Sequence, residues 1–469
     1  MTDRAPAAPA DAEADLTNVQ RPRRRSLPFY PEGNVFIFLF FLLFVVARYM
    51  QWGARQEILA KVRFEFVVGL ALSLICLVLL LSRPPVLKSS RRLLIAISLL
   101  FAMMVIQIPF AADKLTAREI FTDRVVKFAF LTFFMTVLIT SPRYLRCFLY
   151  AFLLSCLYIT QESVRGLISG GLVWENQGVM RLHGAVPIYE HPNSLGGLAM
   201  GTIPFVVFLF PHLRSWVVRI GLLVLLGTST ICVITSGSRT AYVAFFAFLF
   251  YWWFFSRYKL RWLAVALIVG AVGLAVVPDQ YKARFESITG EETESHSKAA
   301  RLQILEDAWH IFLQNPLGVG VASFPAVRYK TYGREQDTHN LYLEVATNLG
   351  VQGLAAFFFL IWVMMTSYRT AYRRFRAMRR RLRPYLTAAA VSAGEWRQLS
   401  RHARDLEFMM AVCVAAAGFI FVRLVLGLFG MDLYEVYWWF GAGMVICLMN
   451  LSLSAQTNTE RLLQGYGPA

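Results

Sequence analysis

Apolar residues in this chain gather into blocks of roughly 15 to 21 positions that carry almost no charge. At about 1.5 Å of rise per residue, a helix of that length crosses a bilayer. Twelve such blocks occur, at 34–50, 66–82, 93–110, 125–140, 144–160, 195–210, 216–235, 241–255, 263–277, 351–366, 408–428 and 436–453. A large soluble core would scatter charges through its helices, and these blocks do not. The pattern predicts an all-α polytopic membrane protein of about twelve transmembrane helices. Several blocks reach the usual 20 residues only by extending into their flanks. Ser141-Pro142-Arg143 makes a tight hairpin between the fourth and fifth, with Pro stopping the helix.

The polar segments between the blocks set the orientation. Hydrophobic residues make up 57% of the chain and charged ones 16%, outside the usual soluble range. The net charge of +18 would suggest nucleic acid on a soluble protein. Here the basic residues sit between membrane blocks, so membrane lipids are the expected partner and nucleic acid is not. Alternate segments are strongly basic: the tail 1–33 with Arg21, Arg23, Arg24 and Arg25, then 83–92, 143–146, 211–214, 257–261 and 367–407. The opposite set is balanced or mixed in sign. The basic set is therefore cytoplasmic, as are both termini, including the tail 454–469. The tail 1–33 is expected to be disordered. It lacks the apolar core of a removable signal peptide, so the first span should serve as an uncleaved anchor. Segment 367–407 reads as a basic cytoplasmic loop lying on anionic headgroups.

Two segments on the other side are too long to be simple connectors, 161–194 within spans one to nine (34–277) and 278–350 before span ten. The second should form a helical cap. Leu302, Leu305, Ala308, Trp309 and Phe312 recur at helical spacing, Asn315-Pro316-Leu317-Gly318-Val319-Gly320 makes a tight turn, and a second helix covers 340–349. Spans eleven and twelve then fill 408–453. The six cysteines, Cys76, Cys147, Cys156, Cys232, Cys413 and Cys447, lie in or beside apolar blocks without a Cys-x-x-Cys pair, and read as buried free thiols.

Candidate chemistry lies on the outer side. Five of the seven histidines fall there (His183, His191, His296, His310 and His339), together with Arg165, Arg181, Arg239 and Arg301. Arg423 sits in the outer part of span eleven, where it either serves function or snorkels to the headgroups. Arginine with histidine at a membrane surface suits a phosphate or pyrophosphate. No His-x-x-x-His or Asp-x-Asp spacing occurs, so no metal is expected. Neither a phosphate-cradling Gly-rich loop nor a Gly-x-Ser-x-Gly elbow is present, so cytosolic ATP is not the energy source. Plainer readings exist for several of these residues. Arg239 can be a membrane-edge anchor, Arg301 a surface partner of Glu306 or Asp307, and His191 with Asn193 a turn and cap before span six.

Four motifs in order carry a resemblance. Arg181-Leu182-His183-Gly184 runs on to His191-Pro192-Asn193-Ser194, and Thr235-Ser236-Gly237-Ser238-Arg239-Thr240-Ala241 opens span eight. Arg301 begins the amphipathic helix that closes on the Asn315–Gly320 turn. Asp337-Thr338-His339-Asn340-Leu341-Tyr342-Leu343 leads a helix ending Asn348-Leu349-Gly350. Together they resemble the O-antigen ligase and polymerase superfamily of bacterial envelopes, most like the ligase, with the strongest likeness from Arg181 to about Phe359. The arginine-rich 367–407 segment is not accounted for by it. The resemblance implies a multi-pass inner-membrane glycosyltransferase with a periplasmic active site. Its partners would be an undecaprenyl-pyrophosphate-linked glycan and the lipid A–core oligosaccharide, with no cofactor. His339 would be the general base, with Asp337 or Glu190 as fallbacks. Arg239, Arg301, Arg181 and Arg423 would bind the donor pyrophosphate, supported by His191, Asn193, Ser238, Asn340 and Asp337. One base and direct displacement imply inversion at the anomeric carbon. An O-antigen polymerase and a protein O-oligosaccharyltransferase share this chemistry, and one large outer loop favours the ligase. A transporter, which would need broken helices and midplane charge, is the alternative outside enzymes.

Overall fold

The computed structural model describes residues 33–82, 90–176, 179–256, 259–260, 281–282, 295–387 and 392–464. Among the described residues the helices of seven or more residues are α1 (Val35–Met50), α2 (Phe64–Ser82), α3 (Arg91–Gln107), α4 (Lys114–Ile120), α5 (Lys127–Leu138), α6 (Pro142–Ser169), α7 (Pro192–Leu209), α8 (Trp216–Thr235) and α9 (Arg239–Phe255). They continue with α10 (Ser295–Gln314), α11 (Phe324–Tyr332), α12 (Leu341–Thr387), α13 (Ala393–Leu426) and α14 (Val436–Leu463). One antiparallel hairpin, β1 (Val173–Asn176) with β2 (Val179–Leu182), pairs Trp174 with Arg181. Among the described residues, seven helices are long and apolar enough to cross a membrane: α2, α6, α7, α8, α12, α13 and α14, with α1 and α9 apolar but shorter. The chain is an all-α polytopic membrane protein. Eleven of the expected spans fall on helices, α3 and α5 among them, and the ninth, 263–277, lies outside the described residues, as does nearly all of the 1–33 tail.

Helix α7 packs between α8 and α13, and α14 between α5 and α12, while α2 and α8 show leucines and valines outward. Lipid tails are as apolar as leucine, so helices associate here through close packing and small residues. Phe152, Phe419 and Phe440 interlock at ring-centroid distances of 4.9 and 5.3 Å from Phe440. Glycines of α7 let its neighbours approach, Gly196 toward Ser236 and Ala241, Gly197 and Gly201 toward Arg423.

Three segments differ from expectation. The stretch 367–407 is a helical hairpin rather than a loop, formed by the end of α12 and the start of α13. Tyr368, Ala371, Phe375, Met378 and Leu382 are all buried at alternating three- and four-residue spacing, a stripe hidden in sequence by the arginines around it. Ser392 and Glu395 close a capping box at its turn. Arg379 pairs with Glu407 at 2.7 Å across the hairpin. In 161–194, span five runs on to Ser169 and the β-hairpin follows it. In the cap, α10 buries Ile304, Ala308 and Ile311, while Leu302 and Trp309 point outward.

Candidate functional site

The Asn315–Gly320 turn and the Asn348-Leu349-Gly350 motif, far apart in sequence, are one structural unit. Gly350 has φ 72° and ψ −170°, a backbone region essentially closed to other residues, and it kinks α12. A kink frees carbonyls that a straight helix would use internally. Val319 N–H donates to the Thr347 carbonyl at 2.8 Å and Gly320 N–H to that of Asn348 at 3.0 Å. Val351 N–H returns to the Pro316 carbonyl at 2.9 Å. Gly318, at φ +93°, lies so close that a Cβ would stand 2.7 Å from the Asn348 oxygen. The Asn348 side chain accepts Phe324 N–H at 3.0 Å and so starts α11. Buried Arg328 of α11 then clasps Asp307 of α10 at 2.8 Å. Asp307 is thereby engaged, which removes it as the plain partner of Arg301.

This unit sets the start of α12 against the end of α13. The last carbonyls of a helix need donors. Leu341 N–H reaches the Gly427 carbonyl at 2.7 Å, the Asn340 amide that of Leu428 at 3.0 Å, and the Tyr342 hydroxyl that of Leu424 at 2.9 Å. Asn340 also caps α12 through Tyr342 N–H at 3.0 Å. Between these anchors His339 is held at φ 47°, a left-handed conformation uncommon outside glycine and a form of strain that clusters at functional sites.

The helices α7, α9, α12 and α14 all begin around one cavity of about 680 Å³. Their N-termini carry the positive ends of helix dipoles, which favour anions. Arg181, Arg239, Arg301, Arg423, His191, Asn193 and His339 all line this cavity, so seven of the sequence candidates meet in one place. Arg239 occupies the first turn of α9, where a cation opposes the helix dipole, so helix stability is not what puts it there. Ser238 is the cap of that helix and is buried. Arg181 donates to the Ser236 carbonyl at 2.8 Å and to the Asn193 amide oxygen at 2.7 Å, tying the end of α8 to the start of α7. Arg423 does not snorkel. It is buried, stacks over Tyr437 at 3.3 Å, donates to the Gly197 carbonyl at 2.9 Å and lies 3.8 Å from Asp432.

The titratable groups divide clearly. His191 spends Nδ1 accepting Asn193 N–H, so the histidine rather than the asparagine caps α7, and burial with Arg181 nearby holds it below the usual range. His339 is also held below the usual range, first by burial and then by Arg301 and Arg328, with Asp337 opposing, so its ring is neutral at pH 7. Burial raises Asp337, which accepts Thr338 N–H at 2.8 Å. Asp337 and Glu190 do not line the cavity, whereas Asp432 does, with its pKa raised by burial to about 6. Asp432, Tyr437 and Gly197 were missed in sequence, and Thr240 was noted only as part of the motif that opens span eight. The sharp break between spans eleven and twelve, Gly427–Glu435, was the signal that something folds back there. His183 turns to the Gly184 carbonyl at 3.0 Å, and His310 is exposed on α10. Among the described residues no group of three or more His, Cys, Asp or Glu could hold a metal.

The fold and cavity define a polytopic helical membrane protein with a basic, anion-favouring pocket at one end of its bundle. Residues 221–358 match the family model described as O-antigen ligase, so the resemblance to that superfamily is shown over this segment. The match supports a glycosyltransferase of the O-antigen ligase or polymerase type, acting on lipid-linked glycans. It spans Arg239, Arg301 and His339, while Arg181, His191, Asn193, Arg423 and Asp432 reach the cavity from outside it. No curated protein matches the chain.

Proposed function

We propose that the chain is an O-antigen ligase, moving O-antigen polysaccharide from undecaprenyl pyrophosphate to the lipid A–core oligosaccharide at the periplasmic face of the bacterial inner membrane. The observation that carries this reading is His339, strained and neutral, facing one cavity with Arg239 and Arg301. The cavity lies at the end of the bundle opposite the arginine-rich hairpin, and the positive-inside rule then favours the periplasm for it.

His339 accepts the proton of the acceptor hydroxyl as that oxygen attacks the anomeric carbon. The bond from that carbon to the pyrophosphate oxygen breaks, and its electron pair leaves with undecaprenyl pyrophosphate. The arginines meet the charge that develops on the leaving group, Arg239 and Arg301 directly and Arg181 and Arg423 from their fixed positions. Inversion at the anomeric carbon follows. No metal or cofactor takes part in this scheme.

Deletion of the gene followed by gel analysis of lipopolysaccharide tests the acceptor. Loss of all capped lipopolysaccharide with the undecaprenyl-linked polymer retained is the expected result. A single-repeat cap would make the chain a polymerase, and failure to deliver donor to the outer face a transporter. A second test concerns the guanidinium groups. Arg239→Lys and Arg301→Lys keep charge but lose the planar fork that matches phosphate oxygens. At least one should lose transfer by about tenfold or more, the worth of one charge-assisted hydrogen bond, with the protein inserted normally. Full activity in both would assign these residues to membrane anchoring.

A further inference from the structure

Helix α10 divides into three faces rather than two. Ile304, Ala308 and Ile311 are 4%, 0% and 1% exposed and form its protein face, completed by Asp307 in its pair with Arg328. Gln303, Glu306, His310 and Gln314 are exposed and form a polar face. Leu302, Trp309 and Leu313 recur along the third face and are 52%, 50% and 57% exposed. At 100° per residue these three fall within about 40° of arc, while the polar residues centre roughly 85° away. A cap standing in water has no reason to build a separate exposed apolar face on a helix that already buries another.

What covers that face is given by what it joins. Leu317, 70% exposed, follows α10 at the turn whose Pro316 carbonyl accepts Val351 N–H. Val351 is 55% exposed and starts the apolar run of α12 that presents Phe358 and Trp362 outward. That run belongs to a membrane-crossing helix. The apolar face of α10 is therefore continuous, through Leu317 and Val351, with a surface already immersed in acyl chains. At its other end Leu302 lines the cavity.

We propose that α10 is seated in the lipid–water boundary, with Leu302, Trp309 and Leu313 in the acyl-chain layer and Gln303, Glu306 and His310 in water. Tryptophan suits that boundary, and a helix with a strongly polar face beside an apolar one lies in the interface plane. The cap is thus a membrane-surface element, and the cavity opens toward lipid along α10. This seating does not depend on the transferase reading.

The test uses the full chain in phosphatidylethanolamine–phosphatidylglycerol proteoliposomes. A nitroxide is attached to cysteine in Trp309→Cys, Leu313→Cys, Gln303→Cys, His310→Cys and, as the lipid reference, Phe358→Cys. Relaxation by oxygen, which partitions into lipid, is compared with relaxation by a water-soluble nickel chelate. Labels at 309 and 313 should match 358 in favouring oxygen, and those at 303 and 310 should favour nickel. Nickel access at 309 and 313 equal to that at 310 would place the helix in water and overturn the proposal. Shielding of 309 and 313 from both reagents would overturn it too, since a protein partner would then cover the face.

Discussion

Gly350→Ala is expected to undock the cap and abolish transfer. Gly350 combines φ 72° with ψ −170°, and an added Cβ would overlap the Leu317 carbonyl. The backbone strain alone costs on the order of 1–3 kcal/mol. The overlap is with main chain, which cannot rotate away as a side chain can. Relief requires the Asn315–Gly320 turn to leave α12, which breaks the bonds from Val319 and Gly320 to the Thr347 and Asn348 carbonyls. The Leu317 carbonyl also loses the amides of Gln107 and Gln352, which hold the turn to α3 and α12. Gly333→Ala is the control, because Gly333 has φ +70° but nothing within 4 Å of its Cβ position. Thermal unfolding of purified protein and proteolysis of the cap should show Gly350→Ala far less stable than Gly333→Ala. Equal behaviour of the two would mean that the turn does not bear on α12.

That contact shows what sequence could and could not reveal. The spans were legible because bilayer length and charge exclusion leave a strong one-dimensional signal. The motifs that proved to dock on one another were visible only as separate turns, since their partners are backbone carbonyls released by a kink. Arg423 was ambiguous in sequence for a related reason. Whether it snorkels or turns inward depends on room beside α7, and that room comes from Gly197 and Gly201 on a helix more than 200 positions away. Asp432 and Tyr437 carried no motif, and only the fold-back after α13 brings them to the cavity. The helical hairpin at 367–407 was masked by eleven arginines against three acids, a charge density that hides a regular apolar stripe.

His339→Ala should lower transfer by at least about a hundredfold while donor binding persists, as removal of a general base typically does. Three features single it out among the cavity's titratable groups. His191 already uses Nδ1 as a helix cap. The Asp432 pKa is raised by burial to about 6, but its carboxylate lies 3.8 Å from Arg423 and is engaged with that guanidinium. His339 alone combines a neutral ring at pH 7 with a strained backbone that the Asn340 cap and the end of α13 hold in place. Its pKa lies below the ordinary histidine value, so the base form is already present at neutral pH. The rate should therefore be flat through pH 7 and fall only as pH drops through that lowered pKa. In His339→Ala this acid limb should vanish with the rate, and a limb near pH 6 that survives would belong to Asp432. His183→Ala and His310→Ala should change transfer little, because neither ring lines the cavity. The measurement is product formation on a gel, across pH, beside donor binding by the same purified variants. Normal transfer by His339→Ala, or a failure confined to donor binding, would move the general base elsewhere in the cavity, with Asp432 the next residue to replace.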